Sequence, residues 1–344
     1  MLDIFPQLQE WTQAKKNHAI ATVISTWGSS PRVVGASLAI SEQQEMLGSV
    51  SGGCVEGAVV REAMRLLPEN QASRLDYGVS DDDAWTVGLS CGGKLSVWLE
   101  PGMAQDERAE ERAAWQALSK AVANQSGGVL IHDLSGNRSA HGFWQPDDSV
   151  IGTLEDAVVQ PLAEQAFRER KSQLMSQGER TYFAKVFPCP SQLLVIGVAH
   201  ITVDLVELAK SFGFETVVVD PRGIFTQKTP FSTPPDQLHE NWPQEVLPQL
   251  ELGPYTYAAL LTHDPKVDDP AIHLLLDSEV AYIGALGGRK TQQKRRNRLA
   301  EAGYSEEQIA RIRGPIGLNI HAKTPREIAL SILAEIIQVK NQHL

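Results

Sequence analysis

The sequence predicts an α/β protein in which a mixed α/β domain is followed by a doubly wound, parallel-sheet domain. Its 344 residues suffice for two domains of roughly 150 residues each. Pro188-Cys189-Pro190 forms a rigid, extended link near the middle of the chain, because proline fixes its own φ and disfavours helix in the preceding residue. Beyond this link, strand and helix patterns alternate as in βαβ units. We therefore place the domains at 1–188 and 189–344.

In the first domain, apolar residues alternate over short segments and recur at helical spacing over longer ones. Polar turns separate the segments, as between the second and third strands, where residues 41–44 indicate a hairpin. The predicted helices cover about 4–16, 54–67, 105–123 and 157–177. The predicted strands cover about 19–26, 36–40, 45–49, 74–77, 94–99, 128–133, 142–144 and 181–187.

In the second domain, a strand, a helix and a strand follow one another within about 30 residues, which predicts a Rossmann-like parallel sheet. A proline-rich loop is expected at 221–235. The predicted strands cover about 192–197, 215–220, 257–262 and 281–285. The predicted helices cover about 201–212, 271–276, 290–302, 306–311 and 325–339.

Composition and charge exclude several classes of protein. With 42% hydrophobic and 21% charged residues, the chain has ordinary globular composition, so collagen, coiled coil and wholesale disorder are excluded. A net charge of −11 disfavours nucleic acid as a partner. The start of the chain lacks the basic and apolar regions of a signal peptide, and no stretch approaches the roughly 20 apolar residues of a membrane span. Three widely spaced cysteines fit no disulfide framework, so a cytoplasmic location is expected.

The segment Ser51-Gly52-Gly53-Cys54 is the strongest local signal for chemistry. Two glycines before a cysteine at a helix start let backbone amides and the helix dipole converge on the sulfur, which would stabilise a thiolate. Glu56 would oppose ionisation if its carboxylate points the same way. The alternative is a small, buried cysteine beside a tight turn.

Other segments of the first domain could complete such a site. Cys91 precedes Gly92 and Gly93, so two cysteines flanked by glycine pairs could converge on one pocket. Ser29, Ser30 and Arg32 offer the donors that hold a phosphate or carboxylate, although the same residues suit a plain turn. The acidic run at 81–83 is more typical of a capping turn than of a metal site.

In the second domain, Gly197 and His200 lie between a buried strand and a helix, and Asp220 ends the next strand, 23 positions after Gly197. That is the placement of a dinucleotide fingerprint. Ala199 and Thr202 stand where glycines are usual, so topology supports the motif better than residue type does. Arg289, after the glycines of a later strand, could belong to an anion cradle, or its basic helix could be a solvated face.

Ordered sequence blocks give the chain a resemblance to the XdhC/CoxI family, the xanthine dehydrogenase accessory factors, over essentially its full length. The blocks are GSSPR at 28–32, GSVSGGCVEG at 48–57, YGVSDDDAW at 77–85, GLSCGG at 88–93, LLVIGVAH at 193–200, THDPKVDDPA at 262–271, YIGALGGRKT at 282–291 and GPIGLNIHAKTPREIALSILAEI at 314–336. The chain departs from the family pattern at Ala199, within the usual GAGH, and at His321, where glycine is commoner.

The resemblance implies a chaperone of the molybdenum cofactor, in its molybdopterin or dinucleotide form. Such a chaperone holds the cofactor for sulfuration by a cysteine desulfurase and delivers it to a molybdenum hydroxylase apo-enzyme, and a homodimer is expected. Cys54 and Cys91 match the family's two cysteines and become candidate cofactor and metal ligands. His200 matches the histidine after the glycine fingerprint.

Other functions remain open from the sequence alone. The main alternative is an NAD(P)-binding oxidoreductase, which the βαβ unit and Asp220 suggest and which Ala199 argues against. A nucleotidyltransferase would need a glycine-rich loop with a lysine near the amino terminus, and none precedes Gly28. Cys54 could also carry sulfur as a persulfide. Binding and delivery, without turnover, is the function that the sequence favours.

Overall fold

The computed structural model describes residues 1–28, 32–78, 93–223 and 231–342. Two compact units divide the chain, the first from Met1 to Cys189 and the second beginning at Pro190. The first is mixed α/β with antiparallel sheets, and the second is a parallel, Rossmann-like α/β unit. The predicted fold class is therefore confirmed.

The first unit contains two antiparallel sheets of five strands each. The first sheet has the order β3-β2-β1-β5-β4, and the second has the order β8-β7-β6-β10-β9. The strands are β1 (His18–Trp27), β2 (Ser37–Ser41), β3 (Met46–Gly48), β4 (Ser73–Tyr77), β5 (Lys94–Pro101), β6 (Gly128–Asp133), β7 (His141–Trp144), β8 (Val150–Gly152), β9 (Gln173–Gln177) and β10 (Arg180–Phe187). The helices are α1 (Phe5–Gln13), α2 (Glu56–Leu66), α3 (Ala109–Asn124) and α4 (Asp156–Glu169).

Alternating residues of the first sheet enter two different cores, as the two-residue period of a strand requires. Ala21 and Val23 of β1 pack with Val59 of α2 on one face. Ile20 of β1 packs on the other face against Leu130 of the second sheet. Side chains from both sheets therefore meet in one interior, which α1 and α3 extend through the stacked rings of Phe5 and Trp115.

Two predictions for this unit are wrong in detail. The helix predicted at 157–177 ends at Glu169, because Arg170 takes a left-handed conformation with φ of 54°. Residues Gln173–Gln177 then form β9, which pairs with β10. The helix predicted to begin at about Cys54 begins at Glu56, so Cys54 lies in the loop before it. The short strand β8 has no alternating apolar pattern and was not predicted.

The second unit is built on six parallel strands in the order β13-β12-β11-β14-β15-β16. They are β11 (Gln192–Ile196), β12 (Glu215–Val219), β13 (Gln237–His239), β14 (Thr256–Leu260), β15 (Tyr282–Ala285) and β16 (Ile312–Arg313). The helices are α5 (His200–Ser211), α6 (Pro243–Val246), α7 (Pro265–Leu276), α8 (Arg289–Glu301), α9 (Glu306–Ala310) and α10 (Pro325–Asn341).

Helices cover both faces of this parallel sheet, as its continuous apolar strands require. Leu205 of α5 and Ile332 of α10 pack on one face, and Ile272 of α7 and Leu299 of α8 pack on the other. Helix α7 begins six residues before its predicted start, because Asp264 caps the amide of Lys266 and Pro265 occupies the first turn. The sequence did not predict β13, α6 or β16, which are two to four residues long. No helix among the described residues is long and apolar enough to cross a membrane.

Candidate functional site

Four of the sequence blocks begin or end at the same edge of the first sheet. Because β1, β3 and β4 all run antiparallel to their neighbours β2 and β5, their carboxyl ends and the amino end of β5 share one edge. Trp27 pairs with Lys94 there, and Tyr77 pairs with Leu95. We call this the motif edge. It comprises residues 27–28, 48–57, 77–78 and 93–96 of the described chain.

Some of the predicted site residues lie outside the described residues. These are Ser29, Ser30, Cys91 and Gly92, together with the acidic run at 81–83. Gly93, which is buried, immediately precedes β5 at the motif edge. Arg32 is partly exposed, and its guanidinium lies 3.3 Å from the Asp3 carboxylate.

Glu56 organises the loop between β3 and α2, a role that the sequence did not reveal. Its carboxylate accepts hydrogen bonds from the Ser49 hydroxyl at 2.7 Å, from the amide of Ser51 at 2.9 Å and from the Ser51 hydroxyl. The amides of Val50 and Gly53 donate to it as well, at 3.2 and 2.9 Å. Burial alone would raise the pKa of this carboxyl, but the hydrogen bonds from Ser49 and Ser51 outweigh burial and lower the pKa to about 2.

The two glycines of this loop do not direct their amides to the cysteine sulfur, as the sequence had suggested. Gly52 donates to the Ser49 hydroxyl at 2.8 Å, and Gly53 donates to Glu56. Both glycines have positive φ, 74° and 120°, so a side chain at either position would strain the turn. Cys54 is partly exposed and packs beside the core between the first sheet and α2. The loop therefore positions Cys54 through Glu56 rather than through the glycine amides.

A cleft of about 500 Å³ opens at the motif edge. It is lined by Trp27, Tyr77 and Lys94 together with neighbouring residues of β1, β4 and β5. Trp27 is 69% exposed, and the Lys94 ammonium lies 5.9 Å from the centre of its ring. On the wall, the Arg74 guanidinium donates to Asp76 at 3.0 Å and to the Ser96 hydroxyl at 3.2 Å. The cleft thus offers an aromatic face and two cations.

In the second unit, the predicted residues lie at the carboxyl edge of the parallel sheet. Gly197 follows β11, Asp220 follows β12, and Arg289 begins α8 after β15. Neighbouring strands β12 and β14 lie on opposite sides of β11, which makes this the switch point where α/β sheets bind ligands. His200 and Arg289 are exposed at the first positions of their helices.

Asp220 is fully buried and serves the protein itself. Its carboxylate accepts from the amide of Val198 at 2.6 Å and from Nη2 of Arg222 at 2.7 Å. A ribose hydroxyl could reach this carboxylate only by displacing one of them. The amide of Ala199 donates to Thr202 Oγ1 at 3.1 Å, in place of a pyrophosphate. The two residues that replace the fingerprint glycines therefore close the turn internally, which weakens the oxidoreductase interpretation.

Comparison with known families agrees with the blocks at both edges. A family model described as the XdhC and CoxI family matches residues 11–78, and one described as the XdhC Rossmann domain matches residues 193–336. Together they match more than half of the chain. The chain belongs to the XdhC and CoxI family.

Relatives of this XdhC/CoxI family member carry names that concern molybdenum enzymes. It is 26% identical to a protein of Bacillus subtilis named as a probable xanthine dehydrogenase component, over 94% of this chain and 93% of the relative. It is 23% identical to the molybdenum cofactor insertion chaperone PaoD of Escherichia coli, over 94% of this chain and 84% of PaoD. A crystal structure described as a xanthine dehydrogenase from Bacillus halodurans shares the fold, with a TM-score of 0.60 at 24% identity over 99% of this chain and 96% of that one.

The first unit of this XdhC/CoxI protein also buries a charged cluster that the sequence analysis missed. The Glu100 carboxylate lies between two histidines, 2.9 Å from Nδ1 of His132 and 3.0 Å from Nε2 of His141. Nδ1 of His141 lies 2.5 Å from the Glu111 carboxylate. Burial alone would lower the pKa of His141, but the two carboxylates outweigh it and raise the pKa to about 10. These residues stand in apolar strands without a motif, so the only sequence signal was polar residues at core positions.

Lys185 is a second buried polar group in this interior. Its ammonium donates to the Ser37 hydroxyl at 2.6 Å and to the Thr22 hydroxyl at 3.3 Å. Burial lowers its pKa to about 7, and the Glu100 and Asp3 carboxylates oppose this shift only in part. Charging this amine in the folded protein therefore costs free energy.

Replacing Lys185 by methionine is expected to raise the free energy of unfolding at pH 7 by about 2 kcal/mol. The removed cost of burying a charge exceeds the two lost hydrogen bonds. Since the folded pKa lies below the unfolded value of 10.5, wild-type stability should fall as pH decreases from about 10 to 7 and then level off, and the variant should lack this slope. Urea unfolding at several pH values measures both effects. Lys171→Met, on the surface, is the control, and a destabilised Lys185→Met would contradict the prediction.

Proposed function

We propose that this chain binds the molybdenum cofactor at the motif edge and inserts it into a molybdenum hydroxylase of the xanthine dehydrogenase type. The observation that carries the proposal is the convergence of four family blocks on one edge of the first sheet, beside a cleft. The printed role of PaoD, a relative over almost the whole chain, supports it. The cofactor is cargo here, held and then released.

The chemistry of the motif edge suits this cargo. A cleft of about 500 Å³ falls within the size range of small-molecule pockets. Trp27 offers a ring face on which the pterin would stack, and Lys94 and Arg74 would hold its phosphate. A cysteine thiolate is a soft ligand suited to a sulfur-bound metal, so Cys54 and Cys91 are the proposed contacts to molybdenum. Glu56 holds the loop that presents Cys54.

Pterin retention tests the proposal with the chain's third cysteine as control. We expect protein purified from a host that makes the cofactor to yield a fluorescent pterin after oxidation. Cys54→Ser and Cys91→Ser should each lower the yield at least about tenfold, because the bond from sulfur to molybdenum is lost. Cys189→Ser should match the wild type, since Cys189 lies in the link after β10 and bonds to the Ser126 carbonyl. Wild-type protein without pterin, even when supplied with released cofactor, would refute the proposal.

The finer part of the proposal concerns sulfur. A cysteine desulfurase would dock on the homodimeric chaperone and sulfurate the bound cofactor before delivery to the apo-enzyme. If Cys54 itself carries the sulfur, incubation with desulfurase and cysteine should add about 32 Da to the wild type and to Cys189→Ser but not to Cys54→Ser. An adduct that persists in Cys54→Ser would exclude Cys54 as the carrier and leave the cofactor as the direct acceptor.

A further inference from the structure

The cluster of Glu100, His132 and His141 has the composition of a metal site. Each residue offers one potential ligand atom, and these atoms lie within 4.8 Å of one another. All three side chains are buried, with at most 4% of their surface exposed. A buried set of two imidazoles and one carboxylate is a frequent ligand set for zinc and related divalent ions.

The ligands come from rigid strands of both sheets in the first unit. His132 on β6 and His141 on β7 are direct cross-strand partners, with ring centres 4.9 Å apart. Glu100 reaches them from β5 of the first sheet, six residues along the strand from Lys94. At about 3.3 Å per residue, the cluster lies roughly 20 Å from the motif edge. It is therefore separate from the proposed cofactor site.

Further contacts orient the ligands in the way that metal sites require. His141 directs Nδ1 to the Glu111 carboxylate, which leaves Nε2 to face Glu100. Trp98 donates from Nε1 to Glu100 at 2.8 Å and fixes that carboxylate. Such carboxylate and hydrogen-bond partners behind the ligands are the rule in metal centres. His132 is 3% exposed, and among the described residues its Nε2 has no hydrogen-bond partner, so the apo arrangement does not satisfy this ring.

We propose that Glu100, His132 and His141 bind one divalent metal ion of the zinc class, which joins the two sheets of the first unit. Ligand bonds of about 2.0 Å at tetrahedral angles place donor atoms roughly 3.3 Å apart, so the present distances of 2.9 and 3.0 Å need only small shifts. Glu100 and Glu111 supply two negative charges to match a dication. The imidazoles favour zinc, cobalt or iron over magnesium and calcium.

Cobalt(II) is the probe that tests the site, because its visible absorption reports ligand geometry. The full chain with Cys54, Cys91 and Cys189 replaced by serine is unfolded with a chelator and refolded with cobalt chloride, since the site is closed in the folded protein. We expect one bound equivalent, a tetrahedral or five-coordinate spectrum and a higher urea midpoint than without metal.

His132→Asn distinguishes a metal site from a network of hydrogen bonds alone. Asparagine can still donate to Glu100 but is a poor ligand, so the variant should fold and lose the cobalt spectrum and the metal-dependent stabilisation. His18→Asn, at a buried histidine of β1 that bonds to the Lys16 carbonyl, should bind like the parent protein. A parent protein that binds no cobalt, or a His132→Asn variant that binds it equally well, would overturn the proposal. Neither result bears on pterin retention.

Discussion

Glu56→Gln is expected to lower pterin retention at least about tenfold and to lower the free energy of unfolding by about 3 kcal/mol at pH 7. The carboxylate accepts five hydrogen bonds from donors of the loop at 49–53. An amide at position 56 brings two hydrogens towards those donors and removes the charge that they stabilise. The loop should lose its fixed geometry, and Cys54 should lose its position at the motif edge.

The same variant has a predicted pH dependence. Because the folded pKa of Glu56 is about 2 and the ordinary value is 4.5, its stabilisation is complete above about pH 4.5 and is lost as the pH falls towards 2. The stability difference between wild type and Glu56→Gln should therefore shrink between pH 5 and pH 3. Urea unfolding across this range and pterin assays at pH 7 measure the two effects.

Glu62→Gln is the matched control on the same helix. Glu62 is 38% exposed and pairs with Arg65 one turn away, so its charge contributes little to stability. It should retain pterin and unfold like the wild type. If Glu56→Gln behaved in the same way, the organising role of Glu56 would be wrong.

Glu111→Leu is expected to cost about 3–5 kcal/mol of unfolding free energy, because it removes one partner of a buried charge network. The Glu111 side chain is fully buried and accepts from the backbone amide of His141 at 3.0 Å, from the His141 ring and from the Thr153 hydroxyl. Leucine fills the volume but satisfies none of these donors. His141 then keeps only Glu100 as a charged partner.

Glu110→Leu gives the corresponding control, since Glu110 is the exposed neighbour of Glu111 on α3. Its stability should change by less than about 0.5 kcal/mol, as is usual for surface substitutions. Urea unfolding at pH 7 compares the two. A Glu111→Leu variant as stable as Glu110→Leu would show that the network contributes no net stability.

Most strands and helices were predictable because their apolar residues repeat with a clear period. Strand β1 and helix α5, for example, lie within one residue of their predicted bounds. Errors arose where a local conformation or a short pairing overrode the pattern. Arg170 ends α4 in a left-handed conformation that no apolar period signals, and β16 forms two residues long because β15 is beside it.

The candidate site was predictable in its residue types but not in its contacts. The position of Cys54 beside glycines suggested amides directed at the sulfur, whereas the nearby carboxylate of Glu56 competes successfully for the amide of Gly53. Asp220 stands where a ribose-binding residue is expected, yet Arg222, two residues later, occupies its carboxylate. Sequence distance alone does not rank such competing partners.

By itself, the sequence determined the two-part α/β architecture, the family and the cysteine-bearing blocks, because periodicity and ordered motifs are properties of the chain read in line. Only the tertiary structure decided that four blocks share one sheet edge and that Glu100 meets His132 and His141. Those juxtapositions depend on strand direction, register and the packing of one sheet on another. These are long-range choices that no local pattern encodes.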